Sequence, residues 1–194
     1  MVIRMKKENI ITETLNVFPI EFFGFTFPKE LITPLYNEVL EKKDEIKRIS
    51  NMHAGFDVFI TNDYWTDYMQ PVTLDGWEKL IPYVSDFFND FNCSCSAYWT
   101  AIYGKYGVHT LHHHSEPIFE PKFSNFSCVL YLTNVGSTIF LNPNTHNVTE
   151  PHLNIKSHLG KMIMFPTNIV HTSHPHNLDR EKIIISANWQ IIKR

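Results

Sequence analysis

The stretch FSCVLYLTNVGSTIFLNP, from Phe126 to Pro143, decides the fold class of this chain. It contains two short runs of aliphatic, aromatic and β-branched residues, which the turn residues Asn134 and Gly136 separate. Such runs between turn residues are typical of short β-strands. The same pattern of short β-prone runs extends from Cys95 to the C-terminus, for example in SAYWTAIYG, KMIMFP and KIIISANWQII. Short strands at regular spacing predict a β-sandwich or a barrel for this half of the chain.

The N-terminal half of the chain carries mainly helical periodicity. Apolar residues recur at helical spacing over residues 28–49, which predicts an amphipathic helix. A second helix is expected over residues 74–89, where Pro82 bends it or splits it in two. Residues 15–27 are aromatic and β-prone, and they predict one or two short strands.

The two halves are expected to form a single domain over residues 1–194, because no linker-like stretch separates them. We expect residues 1–92 to act as an N-terminal helical support region. Residues 93–194 then form the β core that packs against it. The predicted fold class is therefore α+β and mainly β.

The composition narrows the classes of function. The chain has 194 residues, of which 43% are hydrophobic and 19% are charged, so a packed core is expected. The net charge of -3 offers no basic excess for a phosphate backbone, so nucleic acid is not indicated as a partner. No apolar run is long enough for a membrane span, and the N-terminus lacks the features of a signal peptide. The cysteines Cys93, Cys95 and Cys128 cannot form a disulfide framework, which predicts a reducing, cytoplasmic environment.

A cluster of histidines in YGKYGVHTLHHHSE, from Tyr103 to Glu116, is the candidate functional motif. Alternate side chains of a strand share a face, so His112 and His114 would point together, with Glu116 on the same face. His171 follows the apolar run KMIMFP and can supply a third imidazole from a neighbouring strand. Imidazoles suit Fe, Zn, Cu and Ni. From spacing alone, a metal site and a chance cluster of histidines both fit the pattern.

Four motifs, taken in order, resemble the non-haem Fe(II)/2-oxoglutarate-dependent oxygenases, and most closely the phage and bacterial prolyl-hydroxylase-like group. The motifs are Y-x-K-x6-H-x-H from Tyr103, FSCVLYLTN-x-GSTIFLNP, G-x-MIMFP-x4-H, and a basic residue before IIISANW. Together they span residues 99–189, about half of the chain. The resemblance implies a double-stranded β-helix, a cupin-like jelly-roll, with a metal at its open end and N-terminal helices packed on it.

The resemblance also implies which residues bind the metal. By the order of the motifs, His112 and His171 are ligands, and His114 stands where the family has a carboxylate. The common iron triad has two histidines and one carboxylate, so this set is a departure from the family. An alternative register takes His114 and Glu116 as the pair and restores the carboxylate. The spacing from Tyr103 favours His112 with His114.

For the cosubstrate, the resemblance implies a basic residue near the start of the last strand, which binds the distal carboxylate of 2-oxoglutarate. Lys182 is the first candidate and Arg180 the second. The family usually has an arginine, which binds a carboxylate in a bidentate way, whereas a lysine offers a point charge. The family's serine two residues further on is Ile184 here. Tyr103 and Tyr131 resemble pocket tyrosines whose hydroxyls can bond 2-oxoglutarate.

The resemblance therefore implies an oxidoreductase, an Fe(II)/2-oxoglutarate-dependent dioxygenase that uses oxygen to hydroxylate a primary substrate. The sequence does not specify that substrate. Two other functions fit the residues. One is a three-histidine cupin-type dioxygenase that works without 2-oxoglutarate, and the other is a non-catalytic jelly-roll that acts as a binding or structural module.

Overall fold

In a computed structural model of the chain, the described residues form eleven β-strands in two antiparallel sheets. The structure describes residues 4–5, 10–17, 20–50, 55–61, 72–115, 125–143 and 151–194. Within these ranges the strands are β1 (Arg4–Met5), β2 (Ile11–Val17), β3 (Ile20–Thr26), β4 (Gly55–Ile60), β5 (Phe91–His109), β6 (Phe126–Tyr131), β7 (Ser137–Leu141), β8 (His152–Lys156), β9 (Lys161–Pro166), β10 (His171–His174) and β11 (Lys182–Lys193).

The order of the strands is that of a jelly-roll. The larger sheet has the order β1-β2-β3-β9-β6-β11-β5-β4, and the smaller sheet has the order β10-β7-β8. The chain crosses between the sheets after β6, after β8, after β9 and after β10, so strands distant in sequence become neighbours. This arrangement confirms the predicted mainly β fold class.

Two apolar cores lie on the two faces of the larger sheet, and β11 contributes to both. Ile185 and Trp189 face the core between the larger sheet and the helices. Ile184 points the other way, into the core between the two sheets. Because side chains alternate along a strand, Lys182 and Ser186 share the face of Ile184. Polar residues of β11 are thereby placed inside the jelly-roll.

Helices cover the outer face of the larger sheet, where Trp77 packs against Trp189 with ring centroids 6.2 Å apart. The predicted helix over residues 28–49 is broken at Lys42, and the predicted helix over residues 74–89 is split before Ile81. None of the described helices is long and apolar enough to cross a membrane. The helices are α1 (Lys29–Glu41), α2 (Lys43–Ile49), α3 (Asp75–Glu78) and α4 (Ile81–Phe87).

The N-terminal region is more than the helical support that the sequence predicts. The strands β2, β3 and β4 join the larger sheet, where β3 pairs with β9 and β4 pairs with β5. The reason lies in the aromatic run of β3. Phe22 is buried between the two sheets and Phe25 is buried under the helices, so this strand fills both cores at once.

Candidate active site

The segment that follows β5 places His112 beside the start of β10. The backbone N–H of His112 donates to the carbonyl of His171 at 3.1 Å, and the N–H of His171 donates back at 2.9 Å. The N–H of His114 donates to the carbonyl of Thr167 at 2.8 Å. The sequence predicts a strand here, but β5 ends at His109, and only a single bridge continues the pairing. The extended backbone still turns the rings of His112 and His114 to one side.

The rings of His112, His114 and His171 converge on one another. One potential ligand atom from each imidazole lies within 4.8 Å of the other two. The ring centroids of His112 and His171 are 4.3 Å apart, and those of His114 and His171 are 4.9 Å apart. The ring centroids of His112 and His114 are 5.1 Å apart, and the ring planes make an angle of 26°. Three nitrogen donors are therefore grouped around one point.

Hydrogen bonds fix which nitrogen of each ring can bind a metal. Nδ1 of His112 lies 2.7 Å from the carbonyl of Thr110, and Nδ1 of His171 lies 3.0 Å from the carbonyl of Ile169. Because a carbonyl only accepts hydrogen bonds, both Nδ1 atoms carry the proton, and each Nε2 keeps a free lone pair. Such outer hydrogen bonds orient metal-binding histidines and raise their basicity.

The ring of His114 is oriented by two polar side chains on the inner face of the larger sheet. Its Nδ1 lies 3.1 Å from Oδ1 of Asn188 and 2.9 Å from the hydroxyl of Ser127. The Ser127 hydroxyl also donates to Asn188 Oδ1 at 2.8 Å. Ser127 and Asn188 are direct partners in the pairing of β6 with β11, and both are buried. Nε2 of His114 is thereby left as the ligand atom.

Burial keeps the three imidazoles in the neutral form that metal binding requires. Burial, together with the neighbouring His112, lowers the pKa of His114 to about 3. It also lowers the pKa of His171 well below the ordinary histidine value, again with a contribution from the adjacent rings. The pKa of His112 is lowered by burial as well. The donor set therefore fits a divalent transition metal that accepts three nitrogen ligands.

The alternative ligand Glu116 lies outside the described residues. Among the residues that the structure does describe, no carboxylate joins the three histidines in a metal-binding group. The choice between the two registers therefore stays a prediction. The cysteines of the described chain are not part of the group either, since Cys93 and Cys95 are half-buried elsewhere and Cys128 lies in the core under the helices.

Lys182 lies in the same pocket as His112 and His171, at the start of β11 and opposite Tyr103 of β5. The whole residue is buried, and its ammonium donates to the carbonyl of Ser137 at 2.6 Å and to Oγ of Ser173 at 3.0 Å. None of the described residues that line this pocket is acidic. Burial lowers the pKa of Lys182 to about 7. A buried cation without a carboxylate partner is costly, and it fits a pocket that receives a carboxylate from a ligand.

Two tyrosines flank this ammonium. The Lys182 Nζ lies 5.2 Å from the ring centroid of Tyr103 and 5.8 Å from that of Tyr131. Burial raises the pKa of both phenols, so both hydroxyls stay protonated and can donate. The hydroxyl of Tyr131 is buried and has no well-formed hydrogen bond among the described residues, although Thr138 lies beside it. An orphaned hydroxyl beside the ammonium also fits a ligand carboxylate.

Arg180, the second candidate for the anchor, is exposed in the turn before β11 and does not line this pocket. No function was predicted for His109, Ser127 or Asn188, yet all three contact the histidine group. A signal for Asn188 was present, because a polar residue on the inner face of an apolar strand needs a partner. No comparable signal marks His109.

Solved structures with the same chain path include a prolyl-4-hydroxylase from Pseudomonas putida, with 14% sequence identity and a TM-score of 0.59, covering 94% of this chain and 92% of that one. The chain has the double-stranded β-helix fold. A viral collagen prolyl hydroxylase from Paramecium bursaria chlorella virus-1, solved as a 2-oxoglutarate complex, shares this double-stranded β-helix with 15% identity and a TM-score of 0.57, covering 92% of this chain and 94% of that one. HygX from Streptomyces hygroscopicus, solved with nickel, 2-oxoglutarate and hygromycin B, has 8% sequence identity and a TM-score of 0.61. The match covers 87% of this chain and 82% of that one.

The comparisons of sequence found no match, in contrast to the comparison of folds. No protein-family model matches the chain, and no curated protein matches it. At identities this low, the shared double-stranded β-helix establishes the fold, and the chemistry has to be argued from the site itself.

Proposed function

We propose that the protein is an Fe(II)/2-oxoglutarate-dependent oxygenase, most simply a hydroxylase. One observation carries the proposal: a buried lysine, with no acidic partner among the described pocket residues, shares a pocket with convergent imidazoles. The imidazoles suit a transition metal, and the lysine suits an anion. A dicarboxylate with a chelating oxo-acid group at one end satisfies both. The 2-oxoglutarate complexes of proteins with the same fold support this choice.

At the metal end of the pocket, His112, His114 and His171 would hold Fe(II) through their Nε2 atoms. Fe(II) and 2-oxoglutarate, when bound, supply oxygen activation coupled to the oxidative decarboxylation of 2-oxoglutarate to succinate and carbon dioxide. The three outer hydrogen bonds keep each ring in the tautomer that presents Nε2. Three protein ligands leave positions open for further ligands. The protein would thereby leave part of the metal's coordination sphere to other ligands.

At the other end of the pocket, Lys182 would bind the distal carboxylate of 2-oxoglutarate. The hydroxyl of Tyr131 would donate a second hydrogen bond, and its lack of a well-formed bond among the described residues supports this role. Trp99, Val129 and Ile184 line the pocket with apolar surface. Such surface excludes water and strengthens the attraction between ammonium and carboxylate. The identity of the primary substrate stays outside this proposal.

A three-histidine dioxygenase that works without 2-oxoglutarate is the second candidate. The observation that favours it is the donor set, since no carboxylate joins the imidazoles among the described residues. That function would leave the buried ammonium of Lys182 without a role, so we place it second. A jelly-roll without catalysis would need neither the metal nor the anion.

Absorption spectroscopy under anaerobic conditions separates the three functions. Fe(II) is added to the protein, followed by 2-oxoglutarate, and oxygen is then admitted while succinate is measured. We expect a charge-transfer band when 2-oxoglutarate is added, and slow succinate formation after oxygen. Iron binding without any response to 2-oxoglutarate would favour the three-histidine dioxygenase. No iron binding would favour the non-catalytic module and overturn the proposal.

A further inference from the structure

A fourth histidine, His109, lies against the ligand group without belonging to it. Its ring stacks on that of His112, with centroids 3.9 Å apart and an interplanar angle of 29°. It is the last residue of β5, and its carbonyl accepts a hydrogen bond from the hydroxyl of Thr172 on β10. The backbone that carries the ring is thus attached to both sheets, so the imidazole has a defined position.

The nitrogens of His109 differ from those of the three ligands. Each ligand ring has a hydrogen-bond partner at Nδ1, whereas we find none for either ring nitrogen of His109 in the part of the chain that the structure describes. A partly buried imidazole carries one N–H donor and one acceptor that both need partners. His109 lines the same pocket as Lys182, together with His112 and His171. The ring of His109 therefore borders the space that a bound anion would fill.

We propose that His109 is a binding residue for the anionic cosubstrate and donates a hydrogen bond to the oxo-acid group held at the metal. This inference rests on the proposed function and extends it. The dicarboxylate is then recognised at three places: the metal, the N–H of His109 and the ammonium of Lys182. None of the described residues that line the pocket is acidic, and each of these contacts is attractive to a carboxylate. The alternative is that His109 only packs against His112 and keeps that ligand in place.

The test compares two affinities in three variants. Nickel replaces iron because it does not react with oxygen, and calorimetry gives the affinity for Ni²⁺ alone and the affinity of the nickel-loaded protein for 2-oxoglutarate. His109→Phe keeps a flat ring on His112 but removes the N–H, and His109→Gln keeps a donor. His113→Phe is the matched control, since His113 is exposed beside the same ligands.

For His109→Phe we expect the affinity for Ni²⁺ to stay within about threefold, and the affinity for 2-oxoglutarate to fall roughly ten- to a hundredfold, as for the loss of a hydrogen bond to a charged group. His109→Gln should restore much of that loss, and His113→Phe should behave like the wild type. An unchanged affinity for 2-oxoglutarate in His109→Phe overturns the inference while leaving the proposed function in place. A parallel loss of Ni²⁺ and 2-oxoglutarate binding would mean that His109 only packs on His112. If the nickel-loaded wild type binds no 2-oxoglutarate, the inference and the proposed function both fail.

Discussion

Replacing Lys182 with methionine should make the ligand-free protein more stable and at the same time weaken 2-oxoglutarate binding. Methionine keeps an unbranched side chain in the buried space but removes the charge. Lys182 is completely buried and has no acidic partner along the described pocket wall, so its charge destabilises the folded state. A residue that costs stability and lines a pocket is expected to be there for binding.

The size of the effect follows from the pKa of Lys182, which burial lowers to about 7. In the unfolded chain a lysine has a pKa of about 10.4, so at pH 7 the burial of this charge costs the folded state about 4 kcal/mol. The variant also loses the hydrogen bonds to Ser137 and Ser173, which offset the gain by about 1 kcal/mol each. We therefore expect the free energy of unfolding of Lys182→Met to be about 2 kcal/mol higher than that of the wild type at pH 7.

The pH dependence of the free energy of unfolding tests this explanation more sharply than the higher stability of Lys182→Met at one pH. Between pH 7 and about pH 10, the unfolded wild type binds more protons than the folded wild type, so its free energy of unfolding rises with pH. Lys182→Met lacks this rise, and its advantage should shrink by about 2 kcal/mol between pH 7 and pH 9. Urea unfolding of the metal-free proteins at both pH values measures this. Calorimetry with nickel-loaded protein should show a loss of roughly ten- to a hundredfold in 2-oxoglutarate affinity.

Arg180→Met is the matched control, since Arg180 is the exposed alternative anchor. It should change neither the pH dependence nor the affinity for 2-oxoglutarate. A Lys182→Met variant that is less stable than the wild type at both pH values, with normal 2-oxoglutarate affinity, would refute the reasoning. Loss of 2-oxoglutarate binding in Arg180→Met alone would assign the anchor to Arg180.

The histidine group gives three further predictions. Burial lowers the pKa of His109 and of His114 to about 3, so below about pH 6.5 the unfolded chain binds more protons than the folded protein. Each of these two histidines should therefore lower the free energy of unfolding of the metal-free protein by about 1.2 kcal/mol between about pH 7 and pH 5.5. A free energy of unfolding, measured with urea, that stays constant over this range would contradict the prediction. His112→Ala should abolish tight Ni²⁺ binding while Glu116→Ala retains it, and the reverse result in calorimetry would establish the His114/Glu116 register. Asn188→Ala should weaken Ni²⁺ binding by about ten- to a hundredfold because Nδ1 of His114 loses one of its two partners, whereas Asn188→Asp keeps an oxygen there; equal Ni²⁺ affinities of Asn188→Ala and the wild type would mean that this contact does not orient the ligand.

Local patterns were enough to predict the mainly β fold and the grouping of His112 with His114. Alternation along an extended segment puts these two rings on one side, whether or not the segment is a regular strand. Pro82 predicted the split of the second helix, and it stands at the start of α4, whereas the break of the first helix at Lys42 was not predicted. Glu38 accepts hydrogen bonds from the backbone N–H groups of Asp75 and Gly76, which ties α1 to the start of α3.

The contacts around the histidines depend on pairings between distant parts of the chain. His109 stacks on His112 because β5 ends there and the backbone changes direction before the bridge to His171. Spacing along one strand cannot predict such a contact. Asn188 could have been suspected as a polar residue in an apolar strand, but its partner comes from the register of β11 with β6.

A crystal structure of the protein with Ni²⁺ and 2-oxoglutarate tests the central claim most directly. We predict nickel bonded to Nε2 of His112, His114 and His171 at about 2.1 Å, the distance typical of metal–imidazole bonds. The distal carboxylate of 2-oxoglutarate should lie within about 3 Å of Lys182 Nζ, as a charge-assisted hydrogen bond requires. Nickel bound by other residues, or 2-oxoglutarate bound away from Lys182, would contradict the claim.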